Sequence, residues 1–236
     1  MSSNTITLSS SVLTASGLIK RYGDVDALAG VDIAIAAGES IAITGPSGSG
    51  KSTLLYCLAG VIRPDHGAVL LDGVRIDELP DRRRTQLRLR RFGFVFQFGG
   101  LLPELPAEEN VALPLILAGV NRRRAVAQAR RWFAPLGIDG LERRRPGQLS
   151  GGQAQRVAIA RALVSDPAVV FADEPTGSLD TATGSDVIAL LTAVTRGQRA
   201  ALVVVTHDLG VAAGCDRHVA IRDGRLERSA VEAGRA

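Results

Sequence analysis

The sequence predicts an α/β fold in which a mainly parallel sheet carries an inserted, mostly helical lobe. Seven short runs rich in Val, Ile and Ala are bounded by Gly, Pro or Asp, which is typical of strands. Several are nearly continuous apolar runs, as expected of strands that are buried on both faces. One run leads directly into a glycine-rich turn and a helix. Between residues 103 and 147 the composition changes, and Pro, Leu and Arg dominate. We interpret residues 103 to about 162 as the helical lobe.

Each apolar run corresponds to one predicted element. The predicted strands are residues 31–35, 40–44, 68–71, 92–96, 168–172, 201–206 and 218–222. The predicted helices follow Gly50, Gln153 and Thr183, and another covers residues 122–136. Strands and helices are thus interspersed along the chain, as in an α/β core that carries a helical insertion.

The composition is that of a compact globular domain. The 236 residues are 46% hydrophobic and 22% charged, which is enough to bury a core. We expect one domain at residues 12–227, a lobe at about 103–162, a flexible N-terminal tail at 1–11 and a C-terminal tail at 228–236. No apolar run reaches the ~18 residues of a membrane helix, and the Ser/Thr-rich start lacks a signal-peptide pattern, so we expect a cytoplasmic protein. Cys57 and Cys215 are too few for a zinc cluster or a disulfide scaffold, and we expect both to be small buried side chains.

The basic residues are almost all arginines, and they form clusters in a chain of net charge +4. The clusters are residues 82–84, 88–91, 122–124, 130–131 and 143–145. Two interpretations stay open: solvated helical faces, or contact with an anionic partner such as membrane headgroups. Aromatic residues are only 4% of the chain, and none alternates with the basic clusters as base stacking would require. We therefore expect no nucleic acid partner.

A phosphate-binding motif follows the second predicted strand. It matches G-x-x-x-x-G-K-[ST] and consists of Gly45, Pro46, Ser47, Gly48, Ser49, Gly50, Lys51, Ser52 and Thr53. Glycines let backbone N–H groups face phosphate oxygens, and the start of the following helix adds unpaired donors and a positive partial charge. We expect Lys51 to reach the β- and γ-phosphates of a nucleotide and Ser52 to offer its hydroxyl to Mg²⁺.

Two carboxylates end the fifth predicted strand. Asp173 and Glu174 follow four apolar residues, and ligands of parallel sheets collect at the carboxyl ends of strands. We expect Asp173 to hold Mg²⁺ through water and Glu174 to polarise the attacking water. Phosphoryl transfer needs little more than positioning and neutralisation of charge, and these groups supply both.

A third motif narrows the class of nucleotide-binding protein. Leu149 to Gln153 reads LSGGQ and opens a predicted helix, and here the chain resembles the ATP-binding cassette (ABC) ATPases. The resemblance implies a P-loop NTPase core, with a mainly parallel sheet, an antiparallel β subdomain and a helical lobe that carries LSGGQ. It also implies that Ser150, Gly151, Gly152 and Gln153 bind the γ-phosphate of ATP held by another subunit, which agrees with a glycine-rich helix start as an anion site.

Further residues match markers of the same family, over roughly residues 12–227. The resemblance implies that Tyr22 stacks on adenine and that Gln97 senses Mg²⁺ and the attacking water. It implies that Asp180 lies in a loop that crosses between subunits, and that His207 contacts the γ-phosphate. The catalytic residues are then Glu174, His207, Gln97 and Lys51, and the Mg²⁺ residues are Ser52, Gln97 and Asp173.

The split site implies a homodimer that encloses two ATP molecules. ATP on one subunit's phosphate loop is capped by the Ser150 region of the other, so ATP favours the closed dimer and hydrolysis releases it. We expect the chain to lie outside four other ABC classes. It has one phosphate loop where translation-associated members have two, and too little chain between Lys51 and Ser150 for the coiled coil of chromosome-maintenance members. It lacks the zinc cysteines of excision-repair members, and the stretch after His207 is short for the regulatory domain of carbohydrate importers.

The segment after Gln97 is informative about the partner. The phenylalanines at 92, 94 and 96 alternate along a strand, and we expect all three to pack in the core. Phe98, Leu101 and Leu102 lie beyond the strand, and we expect them to dock a separate transmembrane permease. The sequence of this segment and of residues 172–177 resembles the lipoprotein-release, macrolide-export and cell-division group of ABC ATPases. The matching residues of the segment are Gln97, Phe98, Leu101, Leu102, Pro103, Glu109, Asn110, Val111, Pro114 and Leu115. The chain departs from that group at Tyr56, Cys57, Pro106, Ala154 and Ser178.

The resemblance implies an ATPase at the cytoplasmic face of the inner or plasma membrane, where it drives export or extraction of a lipophilic or lipoprotein-like cargo. Two alternatives stay open: an ATP-gated regulator of a membrane complex, as in cell division, and the ATPase of a small-solute importer. The same catalytic residues serve all three functions, so they cannot distinguish them. The architecture of the permease would distinguish the importer from the other two, and movement of a cargo would distinguish export or extraction from regulation.

Overall fold

The computed structural model describes residues 11–227, and its strands form two sheets. The strands are β1 (Ser11–Tyr22), β2 (Val25–Ala36), β3 (Ser40–Thr44), β4 (His66–Leu71), β5 (Val74–Arg75), β6 (Phe92–Phe96), β7 (Val169–Asp173), β8 (Ala201–Val205), β9 (Arg217–Arg222) and β10 (Arg225–Glu227). The helices are α1 (Lys51–Leu58), α2 (Asp81–Arg91), α3 (Ala107–Leu117), α4 (Arg122–Arg130), α5 (Gly151–Leu163), α6 (Thr181–Gly197) and α7 (Leu209–Ala213). The predicted tails lie outside the described residues, except that Ser11 begins β1.

The larger sheet has the strand order β10-β9-β3-β8-β7-β6. Strands β9, β3, β8, β7 and β6 run parallel, and only β10 pairs antiparallel at the edge. The smaller sheet is antiparallel, with the order β2-β1-β4-β5. The predicted combination of a mainly parallel sheet with an antiparallel β portion is therefore confirmed.

Alternating side chains of the parallel strands divide the core into two layers. On β8, Val203 and Val205 face a cluster that includes α1 and the antiparallel sheet. Leu202 and Val204 face the opposite cluster, which includes α3, α5 and α6. Both faces of the strand are buried, which explains why its sequence is apolar throughout.

The inserted lobe is helical but its second helix is shorter than predicted. The prediction placed a helix over residues 122–136, whereas α4 ends at Arg130. The chain continues in tight turns, with N–H to C=O hydrogen bonds from Trp132 to Ala129 and from Phe133 to Arg130. Pro135 has no N–H to donate and disfavours a helical residue before it, which opposes continuation of the helix to residue 136.

Two expectations about side-chain burial are wrong. Phe96 was expected in the core but is 38% exposed, because β6 is the edge strand of the larger sheet and Phe96 is its last residue. Cys215 was expected to be buried like Cys57, but it is partly exposed. Most arginines of the clusters are exposed, which agrees with solvated helical faces, although Arg84 is buried and Arg88 donates to the Gly60 carbonyl at 2.7 Å. Within residues 11–227, no helix is both long enough and apolar enough to cross a membrane.

Candidate nucleotide-binding site

The phosphate loop, residues 45–53, connects the carboxyl end of β3 to α1. Gly50 is the N-cap of α1 with φ +103°, and a Cβ there would lie 2.2 Å from the Ala27 carbonyl oxygen of β2. Only glycine fits both the backbone and this contact. No side chain caps α1 and no acidic residue lies in its first turn, so its N-terminal N–H groups and dipole are left for an anion. Lys51 Nζ donates to the Gly45 and Pro46 carbonyls at 2.8 Å each, which holds the ammonium group over the loop.

The hairpin between β1 and β2 lies beside the phosphate loop. Tyr22 ends β1, pairs with Val25 across the hairpin, and is 50% exposed. Two positions beyond Val25 is Ala27, whose carbonyl abuts the phosphate loop. Lys20 Nζ lies 5.7 Å from the centroid of the Tyr22 ring. An exposed aromatic ring at this position offers a stacking surface for a nucleotide base.

Asp173 and Glu174 end β7 in different environments. Asp173 is partly buried and Tyr56 Oη of α1 donates to its Oδ2 at 3.3 Å, while burial raises the pKa of the Asp173 carboxyl. Glu174 has a left-handed φ of +47°, a conformation fixed by the hydrogen bond from its N–H to the Val205 carbonyl at 2.9 Å. This backbone turn directs the two adjacent carboxylates to different partners.

Glu174 and His207 lie in direct contact. Glu174 Oε1 accepts from the His207 backbone N–H at 3.1 Å and lies 2.9 Å from His207 Nδ1. Glu174 Oε2 accepts from the Thr206 hydroxyl at 3.1 Å. Strands β7 and β8 are parallel neighbours, so their carboxyl ends bring together two residues 33 positions apart in the sequence.

Gln97 follows β6, the other neighbour of β7. We call residues 97–102 the Gln97 loop. The Gln97 carbonyl accepts from the Ser178 hydroxyl at 2.7 Å, and Gln97 Nε2 packs so closely on Gly177 that a Cβ there would lie 2.7 Å away. Gln97, Asp173, Glu174 and His207 therefore share the carboxyl edge of the parallel sheet with the phosphate loop.

The signature turn, residues 149–153, forms the start of α5. Ser150 Oγ accepts from the Gln153 N–H at 3.2 Å, and Gln153 Oε1 accepts from the Ser150 N–H at 2.9 Å, so the two residues form a capping box. Ser150 and Gly151 are exposed, whereas Gly152 is buried against Thr183. Within residues 11–227, no hydrogen bond joins the signature turn to the phosphate loop. The single chain thus presents two separate helix starts of the kind that can bind an anion.

Asp180 lies in the loop before α6. Its Oδ1 accepts from the Thr183 N–H at 3.0 Å as the N-cap of that helix, and this backbone hydrogen bond lowers the pKa of the Asp180 carboxyl. The side chain of Leu179, beside it, lies 3.1 Å from where a Cβ on Gly151 would be. Asp180 is therefore exposed next to the signature turn of its own chain.

The residues expected to hold Mg²⁺ suit that ion by their chemistry. Ser52, Gln97 and Asp173 offer a hydroxyl, an amide and a carboxylate oxygen, and Mg²⁺ prefers such hard ligands while keeping several waters. In the described part of the chain there is no group of three or more His, Cys, Asp or Glu side chains that could form an all-protein metal cage. The donor set therefore fits an ion that is bound largely by water and by nucleotide phosphates.

Sequence reasoning missed one buried residue that links these loops. Gln155 is 2% exposed on α5, and its Nε2 donates to the Phe96 carbonyl at 3.0 Å and to the Pro175 carbonyl at 2.7 Å. It joins the residue before Gln97 to the residue after Glu174. Its one signal in the sequence is a polar side chain on the apolar face of a helix.

Comparison with protein families decides the class of this site. The family described as ABC transporter matches residues 28–177. The chain belongs to the ABC transporter family. The match covers the phosphate loop, the signature turn and both carboxylates, so the resemblance drawn from these motifs is confirmed, and the chain is an ATPase of the ABC type.

Curated relatives match this ABC ATPase over nearly their whole length. The lipoprotein-releasing system ATP-binding protein LolD 2 of Caulobacter vibrioides is 47% identical over 93% of this chain and 98% of its own. The protein LolD of the same system in Bordetella pertussis is 50% identical over 91% and 95%. The lipoprotein-release group inferred from residues 97–115 and 172–177 is therefore the group of these relatives.

Solved structures of ABC cassettes share the fold. The dimeric structure of MJ0796, a bacterial ABC transporter cassette, matches with a TM-score of 0.82 at 38% identity, covering 92% of this chain and 97% of that one. A dimeric post-hydrolysis state of MJ0796 bound to ADP and Pi matches with a TM-score of 0.79 at the same identity and the same coverage. The predicted fold class is confirmed by both.

Proposed function

We propose that this ABC ATPase works as a homodimer around two ATP molecules and drives a separate membrane permease that releases a lipoprotein-like or otherwise lipophilic cargo. The observation that carries the cargo class is the near full-length similarity, at 47% and 50% identity, to ATP-binding proteins of lipoprotein-releasing systems. The proposal places the chain at the cytoplasmic face of the inner or plasma membrane, held there through the permease.

The site geometry supports a division of roles among the catalytic residues. Glu174 is an anchored carboxylate whose two oxygens accept from Thr206 and His207, so it can polarise a water without rotating away. The His207 side chain is largely exposed, where it can reach the γ-phosphate. Lys51 and the first N–H groups of α1 bind the β- and γ-phosphates. When bound, Mg²⁺ neutralises phosphate charge, with Ser52, Gln97 and Asp173 as its protein-side donors.

The exposed signature turn supports a dimer in which each ATP is shared. Ser150 uses its lone pair to cap α5, so the proton of its hydroxyl is free to be donated outward to a phosphate oxygen. Gly151, Gly152 and Gln153 complete a helix start with no acidic residue in its first turn. In the proposed dimer, the signature turn and Asp180 of one copy lie over the phosphate loop of the other copy. Tyr22 stacks on the adenine of the ATP bound to its own phosphate loop.

The dimer is tested by blocking hydrolysis. Glu174→Gln removes a charged acceptor while keeping the shape of the side chain, so ATP and Mg²⁺ are expected to trap a stable dimer. Size-exclusion chromatography with light scattering measures the mass directly, with Asp186→Asn, an exposed acid on α6, as the matched control. A Glu174→Gln chain that stays monomeric with ATP contradicts the proposed mechanism.

An exposed apolar surface around the Gln97 loop supports docking of a permease. Phe98 is 80% exposed, Leu102 is 42% exposed, and Leu101 is partly exposed. Beside them lies an apolar groove of about 580 Å³ between α2, β6, α3 and α5, lined by Phe94, Phe96, Pro114 and Leu117 among others. Exposed apolar surface of this kind marks contact with another protein.

Co-purification tests the permease and its architecture. The chain is purified in mild detergent from its native membranes, and accompanying proteins are identified by mass spectrometry. A permease with few membrane spans and a large outer domain supports release or export, whereas a channel with many spans favours a small-solute importer. If a separate assay shows that ATP turnover activates an enzyme without moving a cargo, the chain is a regulator. Phe98→Asp should lose the permease and Val74→Asp, which alters an exposed residue of the other sheet, should keep it.

A further inference from the structure

The turn between β9 and β10 contacts the phosphate loop. Its two residues, Asp223 and Gly224, have left-handed φ values of +48° and +71° and connect the two strands directly. The Gly224 N–H donates to the Ser49 carbonyl of the phosphate loop at 3.1 Å. Gly224 is buried, whereas the residues of a tight turn are usually exposed. A hairpin at the edge of the larger sheet therefore packs on the backbone that is expected to hold the phosphates.

The same glycine packs against β2. Its carbonyl accepts from the Ala29 N–H at 2.9 Å. A Cβ at Gly224 would lie 2.9 Å from the Ala27 carbonyl oxygen and 3.0 Å from the Leu28 Cα. These are backbone atoms, which cannot turn aside as the end of a flexible side chain can. Any other residue at position 224 would therefore push β2 away from the turn.

Gly224 thus joins the two halves of the nucleotide site. One of its peptide hydrogen bonds goes to the phosphate loop and the other to β2, whose hairpin with β1 carries the exposed ring of Tyr22. The Ala27 carbonyl also meets the phosphate loop, at Gly50. The separation between the Tyr22 ring and the phosphate loop therefore depends on a backbone junction in which Gly224 fills a space that no side chain could occupy.

We propose that Gly224 is a positioning residue that sets the spacing between the Tyr22 ring and the phosphate loop. The base and the phosphates of a nucleotide are covalently connected, so both ends bind together only where the two subsites are spaced to match. Gly224 itself touches neither end of the nucleotide and acts through β2 and the phosphate loop. This inference rests on the proposed function, because it requires adenine to stack on Tyr22.

Two ligands separate the contribution of the base from that of the phosphates. Isothermal titration calorimetry with Mg²⁺ measures the affinity for ADP and for pyrophosphate, which has two linked phosphates and no base. The three atoms nearest to a Cβ at Gly224 all belong to β2. In Gly224→Ala we therefore expect the affinity for ADP to fall on the order of tenfold, the size of one base stack, and the affinity for pyrophosphate to change much less. A general loss of stability would not distinguish the two ligands.

The control is a second turn of the same kind. Asp72 and Gly73 connect β4 to β5 with φ values of +49° and +76°, and a Cβ at Gly73 would meet no atom within 4 Å. Leu71, just before this turn, pairs with Leu13, so the turn lies at the opposite end of β1 from Tyr22. Gly73→Ala therefore carries the same backbone strain and should lower the Tm, but it should leave the affinity for ADP unchanged.

A second substitution keeps the test valid if Gly224→Ala does not fold. Asn tolerates a left-handed backbone better than Ala does, yet it still adds a Cβ, so Gly224→Asn should show the same selective loss of ADP. The inference is overturned if both Gly224 variants bind ADP as the unaltered chain does, if they lose ADP and pyrophosphate equally, or if Gly73→Ala loses ADP to the same extent. Tyr22→Ala tests the proposed stacking separately. If that variant binds ADP as tightly as the unaltered chain, the adenine site of the proposed function is wrong, and the spacing role of Gly224 is wrong with it.

Discussion

Removal of the Ser150 hydroxyl separates the structural role of the signature turn from its proposed role in binding ATP. Ser150→Ala deletes the N-cap of α5, since Ser150 Oγ no longer accepts from the Gln153 N–H. Loss of such a cap costs about 1 kcal/mol of unfolding free energy, which lowers the Tm of a domain of this size by about 2–4 °C. The folded monomer should therefore persist.

The expected effect on the dimer is much larger. A hydrogen bond to a charged phosphate contributes about 1.5–3 kcal/mol, and a two-fold symmetric dimer contains it twice. Ser150→Ala should thus weaken ATP-dependent dimerisation by about 3–6 kcal/mol, on the order of 10²–10⁴ in the dissociation constant. Sedimentation equilibrium of the Glu174→Gln chain with ATP and Mg²⁺, with and without Ser150→Ala, measures this difference.

A matched control comes from a second N-cap far from the nucleotide. Asn121 Oδ1 accepts from the Arg123 N–H at 3.0 Å and caps α4, so Asn121→Ala removes a comparable bond from the same lobe. It should lower the Tm to a similar extent and leave the dimer intact. The reasoning is refuted if Ser150→Ala dimerises as tightly as its parent, or if Asn121→Ala weakens the dimer equally.

Three other outcomes are expected. Glu174→Gln should lower kcat for ATP hydrolysis by about 10²–10⁴ with little change in KM, because it removes the general base without touching the phosphate loop. A steady-state kcat within tenfold of that of the unaltered chain would exclude Glu174 from that role. Tyr56→Phe removes the hydroxyl that donates to Asp173, so titration with Mn²⁺ in the presence of ADP should show weaker metal binding, while ADP affinity in EDTA stays constant. Burial raises the pKa of Cys57 to about 12 and of Cys215 to about 11, so at pH 8 neither thiol should react with iodoacetamide until the chain is unfolded, and rapid labelling of the native chain would contradict this.

Those parts of the fold that bury both faces of a strand were predictable from the sequence. The run at β8 is apolar throughout and was placed within one residue of its observed end. By contrast β1 escaped prediction, because its polar residues, the left-handed Gly17 and several register shifts hide its alternation until β2 and β4 pair with it. Helix α2 was missed for a related reason: it is rich in arginine and lacks an apolar stripe.

The functional residues divide in the same way. Residues within contiguous motifs, such as Lys51 and Ser150, were named from the sequence alone because their spacing along the chain is itself the signal. Gln155 and Tyr56 act through hydrogen bonds to partners 59 and 117 positions away, and no local pattern specifies such distant pairs. Their roles become visible only when the sheet order and the packing of the helices on it are given.

The start of α5 is capped by Ser150 and Gln153, and near its end Arg161 donates to the Gly99 and Gly100 carbonyls, so the length of this helix matters independently of its composition. Each residue added to an α-helix rotates everything beyond it by about 100° and advances it by about 1.5 Å. A single insertion between Gln153 and Gln155 would turn Arg161 away from the Gly99 and Gly100 carbonyls, even if the inserted residue were alanine. Point substitutions on the outer face of α5 should therefore be tolerated where insertions and deletions are not, and a scan of single-residue insertions would reveal α5 as a segment of fixed register.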